Sequence, residues 1–149
     1  MLDELGLLHK SVVYATDFTS RVLNEAQNGL FPRNDFTQFE SNYITSGGQK
    51  ELQEWFEFAD EFIEIKEQLK KKVLFFQHNL VTDTSINEFQ LIFCRNVLIY
   101  FNRNLQTIVF NTIDDSLSRG GFLVLGVSER LPEVYHYKIL NNKIYQKDY

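Results

Sequence analysis

Cysteine occurs once, at Cys94, so no intramolecular disulfide can form and a cysteine-based metal cluster is excluded. Its apolar neighbours Phe93 and Val97 mark it as a small buried side chain, not a nucleophile. The three histidines include none at metal-ligand spacing from another histidine or a cysteine, and His78 reads as a surface or strand-end residue. Basic charge is also scarce. The net charge is −5, and the one dense basic run, Lys70-Lys71-Lys72, reads as a solvated hairpin edge, so no nucleic-acid interface is expected. No apolar stretch reaches the length of a membrane span, and Met1-Leu2-Asp3-Glu4 lacks the basic start of a secretory signal. Membrane insertion is therefore not expected, and a reducing, cytoplasmic compartment is. Of the seven glycines, none forms a Gly-x-Gly pattern; Gly47-Gly48 and Gly120-Gly121 read as turns.

What is present is a hydrophobic fraction of 44% over 149 residues, enough for one domain with a core. The organising stretch runs from Phe89 to Phe101. Phe89 and Leu91 to Cys94 make a nearly unbroken apolar run, the pattern of a central parallel strand buried on both faces. It stops at Arg95-Asn96. A polar pair there either caps the strand at the surface or points into the crevice where open α/β sheets bind ligands.

Along the chain, Leu2, Leu5 and Leu8 at helical spacing with Gly6 near the end read as the last turns of a helix. Ser11 to Thr16 reads as a strand with Asp17 at its carboxyl end. Thr19 or Ser20 is placed to cap the following helix, whose stripe is Val22, Leu23 and Ala26 and whose stop is Gly29. Asp17 either caps that helix or accepts hydrogen bonds from ribose hydroxyls, for which a carboxylate offers two coplanar acceptors. Phe36, Phe39 and Tyr43 suit a short helix, and Leu52, Trp55 and Phe56 another. Phe62–Ile65 and Val73–Phe76 suggest antiparallel strands, the second continuing to His78 and Asn79. Asn102 or Asn104 caps a helix with Leu105, Ile108, Val109, Ile113 and Leu117 on its buried face, closed by Arg119-Gly120-Gly121. Phe122 to Gly126 is a second apolar strand ending at Ser128 and Glu129. Asn141-Asn142 turns a terminal hairpin.

Four strand ends thus carry polar groups, at Asp17, Asn79, Arg95-Asn96 and Ser128-Glu129. In a parallel sheet these gather on one rim as a binding crevice.

The run Phe93-Cys94-Arg95-Asn96-Val97-Leu98-Ile99-Tyr100-Phe101 closely resembles the fourth-strand motif of the CheR-type chemotaxis receptor methyltransferases. Ala15-Thr16-Asp17, His78-Asn79-Leu80 and Arg119 through Glu129 are similar to other segments of that family, in the same order. The resemblance implies an α/β fold: an incomplete Rossmann-like sheet with a small inserted antiparallel β-subdomain, at about residues 35–76 of a partial catalytic domain spanning 1–149. It implies S-adenosylmethionine as cofactor, S-adenosylhomocysteine as product, no metal, and methyl-ester formation on glutamates of a methyl-accepting chemotaxis receptor. Carried over by position, Asp17 holds the ribose hydroxyls, and Asn79 with the backbone of Leu80 faces the adenine. Arg95 and Asn96 line the floor beside the methionine part, and Tyr100 stands near the substrate carboxylate. Arg95 and Tyr100 are the expected catalytic pair.

The family's glycine-bearing first strand and loop and its N-terminal helical domain have no counterpart in the sequence, and Val127 stands where histidine is usual. The expectation is a C-terminal fragment with impaired cofactor binding, whose unpaired strand edges invite a homodimer that closes the gap. The alternative is a non-catalytic module that binds a receptor tail or partner protein through the inserted hairpin.

Overall fold

The computed structural model describes residues 1–148. The chain divides into two units, Met1–His78 and Asn79–Tyr149.

The first unit opens on a single helical turn. Leu7 N–H donates to Leu2 C=O at 2.7 Å and Gly6 N–H to Asp3 C=O at 2.9 Å, with Gly6 at φ 65°. This is the paired closure of a helix end on a left-handed residue, as the leucine spacing suggests. β1 (Val13–Asp17) and β5 (Val73–Gln77) then pair in parallel, Val13 opposite Val73 and Asp17 opposite Gln77. α1 (Ser20–Asn28) follows β1 and stops at Gly29, whose φ of 66° is open to glycine without steric cost. Thr19 occupies the cap position, but no side chain bonds the first turn, and Ser20 Oγ instead donates to Gln77 Oε1 at 3.1 Å. The expected stripe is only partly covered: Leu23 is half-buried, whereas Val22 and Ala26 are exposed.

β2 (Leu30–Pro32), β3 (Phe56–Phe58) and β4 (Phe62–Ile65) form an antiparallel sheet in the order β2-β4-β3. Pro32 closes its edge strand, where a missing N–H costs no ladder bond. α2 (Phe36–Thr45) carries the aromatic stripe expected of it, with Phe39 edge-on to Phe31 at 5.4 Å and Phe36 to Phe58 at 4.9 Å. The partner of β4 differs from expectation. Val73 begins the parallel neighbour of β1, and the hairpin mate of β4 is β3, because Ala59 to Glu61 make a tight return. α3 (Glu67–Lys70) lies between β4 and β5, so the lysine run is not a hairpin edge; Lys70 Nζ pairs with Glu64 at 2.6 Å and Glu67 at 3.3 Å.

The second unit is built on β6 (Phe89–Cys94), α4 (Arg103–Ser116) and β7 (Leu117–Leu125), a right-sized crossover between parallel strands. β8 (Tyr137–Asn141) and β9 (Ile144–Lys147) form the terminal hairpin and complete the order β6-β7-β9-β8. Asn102 Oδ1 accepts from Leu105 N–H at 3.0 Å and caps α4. Val109, Phe110 and Ile113 of α4 pack on Cys94, Leu123, Leu125 and Tyr145. Ile108 faces solvent, and Leu117 already belongs to β7. Arg119-Gly120-Gly121 does not end the helix; it is the bulge inside β7 that moves the register from Phe89–Leu117 to Leu91–Phe122, with Gly120 at φ 72°.

β6 departs from the pattern of a strand buried on both faces. α4 covers one face, where Cys94 lies, while Leu91 is half-exposed and Phe93 is 66% exposed on the other. Among the described residues β6 pairs only with β7 and β1 only with β5, so the parallel strands form two sheets and each keeps an unpaired edge.

Candidate functional site

Asp17 ends β1 in the first unit, half-buried at the carboxyl end of a parallel pair. Its Oδ1 accepts from Thr19 N–H at 2.7 Å, a turn that leads into α1 and not a cap on the helix itself. That oxygen keeps one lone pair, and Oδ2 has no partner among the described residues. The carboxylate therefore retains acceptors for hydroxyl donors. His78, at the end of β5, is buried and not at the surface, and its N–H donates to Asp17 C=O at 3.0 Å.

The remaining predicted residues lie in the second unit. Asn79 opens a tight turn: its Oδ1 accepts from Val81 N–H at 3.0 Å, its carbonyl from Thr82 and Asp83 N–H, and its own N–H donates to Asp83 Oδ2 at 2.8 Å. The amide oxygen is thus committed to the turn. Asn79 Nδ2 and the Leu80 N–H carry no hydrogen bond among the described residues, leaving two donors for ring-nitrogen acceptors.

Beyond Cys94 the chain turns sharply at Asn96, whose φ of 60° is left-handed; asparagine is the non-glycine residue that tolerates this best. Arg95 is exposed, with no ion pair among the described residues. Tyr100, in the 3₁₀ turn Leu98–Tyr100, is 81% exposed. The carboxyl ends of β6 and β7 lie side by side because the strands are parallel, so Arg95-Asn96 and Gly126 share one rim.

Ser128 and Glu129 part company at that rim. Ser128 is exposed, whereas Glu129 is 3% exposed and turned inward. Its Oε1 accepts from Val97 and Leu98 N–H, both at 2.8 Å, and its Oε2 from Asn96 N–H at 3.0 Å and Gly126 N–H at 2.6 Å. Burial pushes the Glu129 carboxyl up, but the four backbone donors outweigh it and hold the group below the usual carboxylate range. Lys143 Nζ donates to the Glu129 carbonyl and fixes the backbone beneath it. Sequence reasoning placed Glu129 at a strand end but missed this function of its side chain. Gly126, three residues before an acid at a strand end, was the available signal. Burial, followed by the Glu129 charge, pushes the Cys94 thiol up to about 12, so it stays protonated and inert. Val127 is 77% exposed.

Residues 2–145 match the family described as CheR methyltransferase, SAM binding domain. The chain belongs to this family. Its cofactor is S-adenosylmethionine, its fold the Rossmann-like methyltransferase α/β fold. A Pseudomonas putida protein named "Putative methyltransferase Cher3" is 38% identical over 129 residues, 87% of this chain and 47% of that protein. A "Chemotaxis protein methyltransferase" of Listeria innocua is 32% identical over 145 residues, 96% of this chain and 52% of its own length. Another of that name, from Borreliella burgdorferi, is 33% identical over 124 residues, covering 82% and 41%. The chain spans about half the length of the curated relatives it matches.

Taken each within its own unit, Asp17 keeps acceptor capacity of the kind a hydroxyl donor needs, and Asn79 Nδ2 and the Leu80 N–H are donors of the kind a ring nitrogen accepts. Among the described residues no cluster of side chains could hold a metal ion, and no helix is long and apolar enough to cross a membrane. Membership in a methyltransferase family does not favour the reading as a purely non-catalytic module.

Proposed function

We propose that the protein carrying this chain transfers a methyl group from S-adenosylmethionine to glutamate side chains of methyl-accepting chemotaxis receptors, in the cytoplasm. The observation that supports this most strongly is family membership over residues 2–145 combined with open hydrogen-bonding atoms at the motif positions.

In this reading Asp17 accepts from the ribose hydroxyls, while Asn79 Nδ2 and the Leu80 N–H donate to the adenine. Asn96 lines the floor beside the methionine part. The cofactor supplies an electrophilic methyl on a sulfonium. A glutamate is ionised near neutral pH, so the protein needs no general base; alignment and exclusion of water are its contribution. Arg95 and Tyr100 orient the incoming carboxylate, Arg95 as a positioning cation, since a tight salt bridge would blunt the nucleophile. We place the inserted subdomain at about residues 35–76 of a partial catalytic domain spanning 1–149, with β3 and β4 as its hairpin. The unpaired edges of β1 and β6 favour a homodimer that closes them, testable by light scattering: a monomer at all concentrations overturns that element.

The test of the activity uses the intact protein that contains residues 1–149, S-adenosylmethionine labelled in the methyl group, and a receptor cytoplasmic fragment. Alkali-labile label on the receptor is expected, at least 100-fold reduced by Arg95→Ala, and Asp17→Ala should weaken S-adenosylhomocysteine binding at least tenfold. Label that resists alkali, or none at all, would exclude carboxyl methylation.

A further inference from the structure

The first turn after β6 is held by an unusual anchor. Four backbone N–H groups from two separate segments, Asn96 to Leu98 and Gly126, converge on the single buried carboxylate of Glu129. Both oxygens take two donors each, so the group is bonded on both sides and has little freedom to rotate. The donors include the left-handed Asn96. Such a conformation persists only where its surroundings impose it. Gly126 fits closely under the same anchor: a Cβ there would fall 2.6 Å from Glu129 Oε2, 2.8 Å from Asn96 Oδ1 and 2.9 Å from Asn96 N. No side-chain carbon can occupy that space without displacing the carboxylate.

Arg95 and Asn96 sit at the start of this turn and Tyr100 at its end, all exposed, while Leu98 between them is buried. The groups assigned to cofactor and substrate are therefore carried on a segment whose conformation is set from beneath. We infer that Glu129 is a positioning residue: by gathering the N–H groups of Asn96, Val97, Leu98 and Gly126 it fixes the turn that presents Arg95, Asn96 and Tyr100, and thereby sets cofactor affinity. The inference rests on the functional reading above for the roles of those three side chains, but the fixing of the turn stands apart from it.

The experiment has three parts. In the unmodified chain, amide exchange by nuclear magnetic resonance should show the Asn96, Val97, Leu98 and Gly126 amides protected at least 100-fold; free exchange at these four overturns the inference without any variant. Glu129→Gln replaces an acceptor oxygen with a donor, and Gly126→Ala pushes the carboxylate aside from the other direction. Each should raise fast backbone motion across residues 95–100 while α4 and β9 keep their amide shifts. In the intact protein each should weaken S-adenosylhomocysteine binding at least tenfold by calorimetry, with Val134→Ala, at an exposed position beyond that loop, changing it less than twofold. A variant that loses the four bonds yet keeps a rigid turn, or keeps wild-type affinity, overturns the positioning role. Failure of the unmodified intact protein to bind S-adenosylhomocysteine sinks the functional reading instead, and the relaxation data then decide the role of Glu129 alone.

Discussion

The two units of the chain stabilise themselves by different means. In Asn79–Tyr149 a fourteen-residue helix lies over one face of a four-stranded sheet, and nine buried hydrophobic residues among those described form one cluster. In Met1–His78, Ile63 is the one buried large hydrophobic residue among those described, and aromatic pairs such as Phe36 and Phe58 make contacts that are only partly covered. Each unit also has a clamping carboxylate. Glu129 is buried and receives only backbone donors, whereas Glu4 receives the Tyr43 hydroxyl at 2.5 Å together with the Gln49 and Lys50 N–H groups. The contrast teaches that a long amphipathic helix is what converts apolar strands into a core. Where helices are short, local polar closures and aromatic contacts carry more of the order.

The largest expected effect tests that difference in the cores. Phe110→Ala should destabilise the second unit by about 3–5 kcal/mol, since it opens a cavity in the cluster. Leu23→Ala, on half-covered α1, should cost about 1 kcal/mol. Hydrogen exchange resolved by residue would report both units in one experiment; equal losses would erase the distinction.

Next come the two carboxylates. Glu129→Ala leaves four backbone donors without an acceptor and should cost about 3 kcal/mol by denaturant unfolding. Both groups have folded-state values below their unfolded ones, Glu4 lowered to about 2, led by the Tyr43 hydroxyl, and Glu129 lowered by its four N–H donors against burial. Their stabilisation is therefore complete above the unfolded carboxylate value near 4.5 and is lost as pH falls through the folded one. For Glu4 that window runs from about 4.5 to about 2. Carbon-detected titration of Glu4 should show its value rising in Tyr43→Phe and not in Glu129→Ala. An unchanged titration in Tyr43→Phe would remove the hydroxyl as the main cause.

The left-handed residues of the two units should respond more gently and to different degrees. Gly29→Ala forces a side chain into a left-handed stop and a Cβ 3.1 Å from Lys70 Cδ, costing about 1 kcal/mol. Asn96→Gly should change stability by less than about 0.5 kcal/mol, because glycine adopts φ near 60° freely. The smallest effect belongs to the exposed Arg21–Glu25 pair on α1: Arg21→Ala should move the unfolding free energy by less than about 0.5 kcal/mol and lose even that at high salt.

Much of the local structure around the candidate residues was legible in the sequence. An acid after a β-branched strand, an Arg-Asn pair after an apolar run and an asparagine cap ahead of a helical stripe are local signals, and β1, β6 and α4 start and stop where those signals lie. What was not legible was whatever depended on a distant neighbour. Val73 to Phe76 has the same composition whether it pairs antiparallel with β4 or parallel with β1, and nothing within it decides the partner. Phe93 looks like a core residue because its sequence neighbours are apolar, yet α4 covers only the opposite face. Lys70 looks solvated, but Glu64 reaches it from β4.

By itself, the sequence determined the outlines of β1, β4 to β7, α1, α2 and α4, the inert single cysteine and the polar residues at strand ends. It also determined a terminal hairpin, whose turn falls one residue later than read, at Asn142-Lys143, but not the short strands β2 and β3. The features it determined follow from residue periodicity and backbone preference, which act over a few positions. Only the tertiary structure decided which strands pair, which apolar face stays open and that Glu129 turns inward beneath Asn96 while Ser128 does not. Pairing and burial depend on partners dozens of residues away, and a carboxylate becomes an anchor only once folding has brought four N–H groups to it.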